Sequence, residues 1–114
     1  VFNVDDAAAM SEAGADAVVA HLGLTTKGSI GASTALSLGE APAKVQEICD
    51  AAKRARPDVI VLCHGGPIAM PEDAAHVLQH TEGVHGFYGA SSMERIPTET
   101  AIRQQVEAFK SVRY

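Results

Sequence analysis

The sequence has no apolar run approaching the roughly 18 residues that a membrane span needs. It opens at Val1 without the charged and apolar segments of an export signal. It is also poor in basic residues, with nine Lys and Arg scattered among 14 acids and a formal charge of −5. No positive field is then available for phosphate backbones or anionic lipid heads, so neither nucleic acid nor a membrane is expected as a partner. Cysteine is limited to Cys49 and Cys63, with no CxxC and no Cys/His ligand spacing. That argues for a reducing, cytoplasmic setting rather than a disulfide scaffold or zinc site. Neither G-x-x-x-x-G-K-[ST] nor G-x-G-x-x-G occurs. What is present is apolar mass, 46% of 114 residues against 20% charged, enough for one globular domain with a real core.

Periodicity gives a helix, a short apolar strand and a glycine-bearing loop, in that order, three times over. The first helix is expected to open at Asp5 or Asp6, run through 7–13 with Met10 inward, and stop at Gly14. Ala17 to Ala20 reads as a strand apolar on both faces, ending at His21-Leu22-Gly23. Val45, Ile48, Cys49 and Ala52 form one stripe of a second helix, and Pro57 precedes the strongest strand, Val59 to Cys63, which reads as fully buried and delivers His64-Gly65-Gly66. A third helix starts at Pro71 and shows Ala74, Val77 and Leu78 inward. Val84 to Tyr88 is a weaker last strand, and a final helix after Pro97 carries the stripe Ile102, Val106, Phe109.

Helices alternating with strands buried on both faces predict an α/β fold with a parallel sheet. Three strands, with a possible fourth in Val1-Phe2-Asn3, leave open edges. A (β/α)₈ barrel takes roughly 250 residues, so the chain is expected to be part of a longer protein. Asp16 to His21 and Asp58 to His64 both run from Asp through a strand to His, as repeated βα units would.

Ligands of such folds collect beyond the carboxyl ends of the strands, where His21, His64 and Gly89-Ala90-Ser91-Ser92 fall. His64 reads as an acid, base or anion donor, and His21 occupies the matching place one unit earlier. His76, His80 and His85 read as surface or packing residues. Cys63 and His64 cannot form a dyad, because neighbours in a strand point to opposite faces; Cys63 should face the helices. Gly65-Gly66 is either a tight turn or a place where backbone approaches a ligand. Ser91-Ser92-Met93-Glu94 fits a capping box, so a helix with free amides could begin there. Glu94 is then a cap, and Arg95 an ion-pair member or an anion clamp. The polar segment 24–33, with Thr25 and Thr26, reads as a lid or substrate loop. Strand ends supply no paired carboxylates, so no metal ligand is assigned.

The residues Val1-Phe2-Asn3, Asp5-Asp6-Ala7, Ala13 to Asp16, His21 to Thr26, Gly28 to Ala32, Cys63 to Ile68, His85 to Arg95 and Pro97-Thr98-Glu99 together resemble the phosphoenolpyruvate hydrolase-like family, also described as TIM-barrel signal transduction proteins. The resemblance covers essentially the whole chain. It implies a TIM (β/α)₈ barrel of the phosphoenolpyruvate/pyruvate-domain type, of which this chain would be the C-terminal half. Related barrels use Mg²⁺ held by acids on earlier strands, which the missing N-terminal half would supply. Two readings of function follow. One is an enzyme acting on a small phosphorylated or carboxylate metabolite by hydrolysis or C–C/C–P cleavage, with His64 and His21 catalytic and Gly65, Gly66, Gly89, Ala90, Ser91, Ser92, Arg95, Thr25 and Thr26 around the anion. The other is a barrel that binds a metabolite or nucleotide and signals or inhibits through protein contacts. The expected partners are the missing half-barrel and further copies of the chain.

Overall fold

The computed structural model describes residues 1–29 and 36–113. The elements among them alternate: α1 (Val4–Glu12), β1 (Ala17–His21), α2 (Ala41–Ala55), β2 (Ile60–His64), α3 (Pro71–Gln79), β3 (Gly86–Phe87) and α4 (Arg95–Lys110). The strands form a parallel sheet in the order β1-β2-β3, with His21 level with His64 and Leu62 level with Gly86. Parallel neighbours require crossovers, and α2 and α3 are those crossovers. β3 is short, but bonds from the amides of His85 and Tyr88 to the carbonyls of Val61 and Cys63 continue its pairing at both ends. His85 Nδ1 also accepts the Val61 amide at 3.0 Å. On the other edge, the Val1 amino group donates to the Val19 carbonyl and the Val1 carbonyl accepts the His21 amide. Val1 thereby pairs in parallel fashion beside Ala20, near the carboxyl end of β1.

The core lies on one face of the sheet. Val18 and Ala20 of β1 and Val61 and Cys63 of β2 are buried together with Val45, Ile48, Cys49 and Ala52 of α2. The i, i+3, i+4, i+7 stripe of α2 is what makes that contact. The strands are not buried on both faces as their apolar runs predict. Ala17 and Ile60 are exposed, Ile60 at 44%, and Val19 and Leu62 only half-buried, because the helices cover one face and leave the other open.

Three local expectations are corrected. α1 is capped by Asn3 rather than Asp5 or Asp6: Asn3 Oδ1 accepts the Asp6 amide at 2.8 Å, and Asp6 Oδ2 accepts the Phe2 amide at 3.2 Å. Met10 turns outward, 53% exposed, since α1 packs through the small pair Ala7 and Ser11, one turn apart. The Ser91 capping box does not form, and α4 starts at Arg95 with Pro97 inside its first turn, where no amide donor is needed. Carbonyls of Ala90 and Ser91 take the amides of residues 93–96 instead.

α4 departs from the rest. Only Ile96 is buried, while Ile102, Val106 and Phe109 are 60, 51 and 71% exposed, so the stripe expected to meet a core has no partner among the described residues. The Cα radius of gyration is 17.1 Å and the long axis 66 Å against 24 and 22 Å. A compact chain of this length would have a radius near 13 Å, and the projecting helix accounts for the excess.

Candidate functional site

The parallel register sets His21 beside His64 on the open face at the carboxyl ends of β1 and β2. Their rings meet edge-on with centroids 4.7 Å apart. Phe2 lies on the far side of His21 at 4.8 Å and Tyr88 on the far side of His64 at 5.4 Å. Four rings thus cross the strand ends in one row: Phe2, His21, His64, Tyr88. Phe2 and Tyr88 escape a reading for acid–base groups. Tyr88 nevertheless carries a signal in the sequence, since it precedes Gly89 as His64 precedes Gly65.

Each imidazole has its tautomer fixed by a backbone partner. His21 Nδ1 receives the Gly23 amide at 3.0 Å. An amide can only donate, so Nδ1 keeps its lone pair and the neutral ring carries its proton on Nε2. His64 Nδ1 lies 2.6 Å from the Tyr88 carbonyl. A carbonyl can only accept, so Nδ1 holds the proton and Nε2 the lone pair. Two adjacent rings therefore offer one N–H donor and one acceptor. Burial lowers the His21 pKa, and His64 and the Val1 ammonium add to the effect, so His21 favours its neutral form.

Cys63 points into the helix layer as expected from strand alternation; its burial pushes the thiol up to about 11. His76 and His80 lie together on the outer side of α3, with centroids 4.5 Å apart and away from the row.

The loops around the row are arranged differently from the sequence expectation. Gly65 and Gly66 have φ of +77° and +56°. A Cβ on Gly65 would overlap the Gly23 carbonyl oxygen, and one on Gly66 would sit 2.6 Å from the Leu22 carbonyl oxygen. The Gly66 amide is spent on Gly23 O at 2.8 Å, and the Gly66 carbonyl holds Thr26 through its amide and hydroxyl. These glycines bring two loops together, and the Gly66 amide is not offered to a ligand. Thr25 is half-buried beside Thr26.

Arg95 is likewise engaged. It bonds Glu99 Oε1 and the Lys27 carbonyl, both at 3.1 Å, while Glu99 accepts the amide and hydroxyl of Ser29. Lys27 pairs with the buried carboxylate of Asp73 at 2.7 Å. The described part of the expected lid, 24–29, is thus tied down at three points; residues 30–33 of that segment lie outside the described residues. By contrast, the amides of Gly89, Ala90, Ser91 and Ser92 have no partner among the described residues, and they follow directly on the Tyr88 carbonyl that holds His64.

Among the described residues no three His, Cys, Asp or Glu side chains converge on a metal position. The row presents ring nitrogens and a phenol, whereas Mg²⁺ takes oxygen ligands, largely carboxylate and water. These residues do not fit that ion.

A family model described as phosphoenolpyruvate hydrolase-like matches residues 1–112. Two proteins of Solanum lycopersicum, "ToMV susceptible protein tm-1(GCR26)" and "ToMV resistance protein Tm-1(GCR237)", are each 64% identical over 111 residues, which is 97% of this chain. A protein of Sinorhizobium fredii (strain NBRC 101917 / NGR234) with the name "Putative transcriptional regulatory protein y4pA" is 31% identical over 112 residues, 98% of the chain. The chain spans 15% of the length of the two Solanum proteins and 18% of the bacterial one. The match covers nearly the whole chain, and the chain belongs to the phosphoenolpyruvate hydrolase-like family.

Proposed function

We propose that this chain is the C-terminal half of a (β/α)₈ barrel and that its strand ends hold a small phosphorylated or carboxylate metabolite for hydrolysis or C–C/C–P cleavage. The observation that carries the reading is the His21–His64 pair, set side by side by the β1–β2 register with opposite hydrogen-bonding sense. His64 Nε2 takes the proton of an attacking water or of the substrate, while His21 Nε2–H donates to the oxygen on which charge develops. Because Nδ1 already donates to the Tyr88 carbonyl, proton uptake at Nε2 requires no rearrangement of the ring. The unpartnered amides of 89–92 contact the anionic end of the substrate, which lets an acidic chain bind an anion without a basic cluster.

A second reading is a barrel that binds such a metabolite without turnover and acts through protein contacts. The names of the relatives favour it, since they speak of resistance, susceptibility and transcriptional regulation. Both readings are tested on the full-length parent with phosphoenolpyruvate and phosphonopyruvate, with and without Mg²⁺, following phosphorus-31 resonances for turnover and calorimetry for binding. The enzyme reading expects product release that His64→Ala and His21→Ala abolish and His80→Ala preserves. Binding without product supports the second reading. Failure of either acid to bind overturns both.

A further inference from the structure

The end of α3 carries a pair of histidines that the row does not use. His76 and His80 stand at i and i+4, so their rings share one side of the helix. The ring centroids are 4.5 Å apart and the planes are inclined at 39°. His76 is half-buried and His80 exposed, which leaves both rings within reach of solvent. α3 runs back from the carboxyl end of β2 to the start of β3, so its last turn lies at the opposite end of the sheet from the histidine row.

His80 is held in one state. Its Nδ1 is 2.7 Å from the His76 carbonyl. A carbonyl can only accept, so Nδ1 carries the proton and the Nε2 lone pair is free. A metal-ligating histidine has this same arrangement, because a bond from its other ring nitrogen to a backbone carbonyl fixes the ring and makes the ligating nitrogen more basic. The spacing of the rings then selects the ion. An ion bound by an imidazole nitrogen at about 2.1 Å lies about 3.2 Å from the ring centre. Two centres 4.5 Å apart therefore subtend about 90° at the ion. Tetrahedral zinc needs the centres about 5.2 Å apart, whereas adjacent positions of a tetragonal ion fit the rings as they stand. Nickel(II) and copper(II) take that geometry and bind imidazole well.

The surrounding charge agrees with a cation. Asp50 and Glu82 share a recess of about 470 Å³ with His80, and no Lys or Arg lines it. Glu72 stands one turn before His76. Among the described residues no three His, Cys, Asp or Glu side chains converge on one point, so water fills the remaining positions around an ion.

We infer that His76 and His80 chelate one divalent late transition-metal ion of the nickel(II) or copper(II) type, which clamps the last turn of α3. The clamp lies where α3 passes into Glu82, whose amide and carbonyl are both held by Gln46 of α2. An ion that binds only the folded pair stabilises the fold by mass action. The inference uses none of the residues of the row and is independent of the function proposed for them.

The test follows the imidazole proton–nitrogen resonances of the full-length parent during addition of Ni²⁺, whose paramagnetism broadens the rings that it touches. His76 and His80 are expected to broaden together at micromolar Ni²⁺, with a single midpoint and ahead of His21 and His64. His76→Ala and His80→Ala should each raise the midpoint of the remaining ring at least about tenfold, since even loss of a group behind a ligand costs that much. Alanine is the stronger helix former, so both variants should fold, and circular dichroism without metal checks it. Zn²⁺, measured by displacement of Ni²⁺, should bind more weakly. A midpoint for His76 that is unchanged in His80→Ala shows rings that bind singly and overturns the inference. So does a parent in which neither ring broadens at micromolar Ni²⁺, or in which the row broadens first. Zn²⁺ binding tighter than Ni²⁺ contradicts the geometry assigned to the pair.

Discussion

At the scale of single residues, the site depends on backbone groups that leave each imidazole one choice of tautomer. The His21 pKa lies below its ordinary value of 6.5 through burial first and the neighbouring His64 second. The unfolded chain therefore binds the His21 proton more readily than the folded one. The resulting contribution weakens the fold as pH falls through 6.5 and levels off once the folded pKa has been passed. His64→Ala should raise the His21 pKa toward 6.5, which a proton NMR titration of the His21 ring measures. An unchanged His21 midpoint would show that the two rings do not interact electrostatically. Ser11 is a residue of another kind, with a buried hydroxyl that has no partner among the described residues. Ser11→Ala removes that unmet group and favours the helix, so it should stabilise the protein by about 1 kcal/mol, read from denaturant midpoints. At Cys63 the raised thiol pKa and full burial predict negligible labelling by a thiol reagent at pH 7.5 until the protein unfolds.

At the scale of elements, the loops divide by what their glycines do. Gly66 sits at positive φ against the Leu22 carbonyl, so Gly66→Ala combines strain with a backbone clash and should cost on the order of 1–3 kcal/mol. A Cβ at Gly89 would crowd Met93 Cγ and touch the Phe87 ring, side chains rather than backbone, and the Gly89 φ lies outside the left-handed region. Gly89→Val should therefore require Met93 to shift while sparing the backbone, and should weaken anion binding several-fold, whereas Gly66→Ala acts on the fold, a contrast that melting and calorimetry on the same two variants will show. The helices and strands were legible because each rests on a local signal: the α2 stripe, Pro71 at a helix start, the apolar run 59–63. The strand-end histidines were legible for the same reason, being repeated in two units. The use of the Gly66 amide and of Arg95 was not, because both are decided by a loop packed against them from 40 or more residues away. The N-cap shows the same limit on a smaller scale, since Asn3, Asp5 and Asp6 are all competent caps and only the bonds from the Asp6 amide to Asn3 and from the Phe2 amide to Asp6 select one.

At the scale of the molecule, the sheet is a layer with helices on one side. Its other side exposes Ile60 and half-exposes Val19 and Leu62 beneath the histidine row. A periodic sequence identifies that such residues are apolar and cannot say what covers them, which is why both strands read as buried throughout. A closed barrel would turn this face inward, and the row would then line the mouth of an enclosed space where its hydrogen bonds are shielded from water. The repeat of Asp before each strand has a use at this scale as well. Asp16 and Asp58 both bind Arg56, which also holds the carbonyls of Gly14 and Ala15, so successive βα units are fastened at the end of the sheet opposite the site. The fastening lies at the end of the strands opposite the histidine row, the end that barrels generally give to stability.

The central claim is that His21 and His64 form one ligand-facing pair with a donor and an acceptor fixed in advance. Long-range proton–nitrogen correlation of the imidazoles in the full-length parent, before and after adding phosphoenolpyruvate, tests it directly. The account predicts His21 protonated on Nε2 and His64 on Nδ1 in the free protein at pH 8, with both Nε2 resonances moving on addition and those of His76 and His80 staying in place. Reversed tautomers, or a ligand that shifts other residues and leaves both Nε2 resonances unmoved, would contradict it.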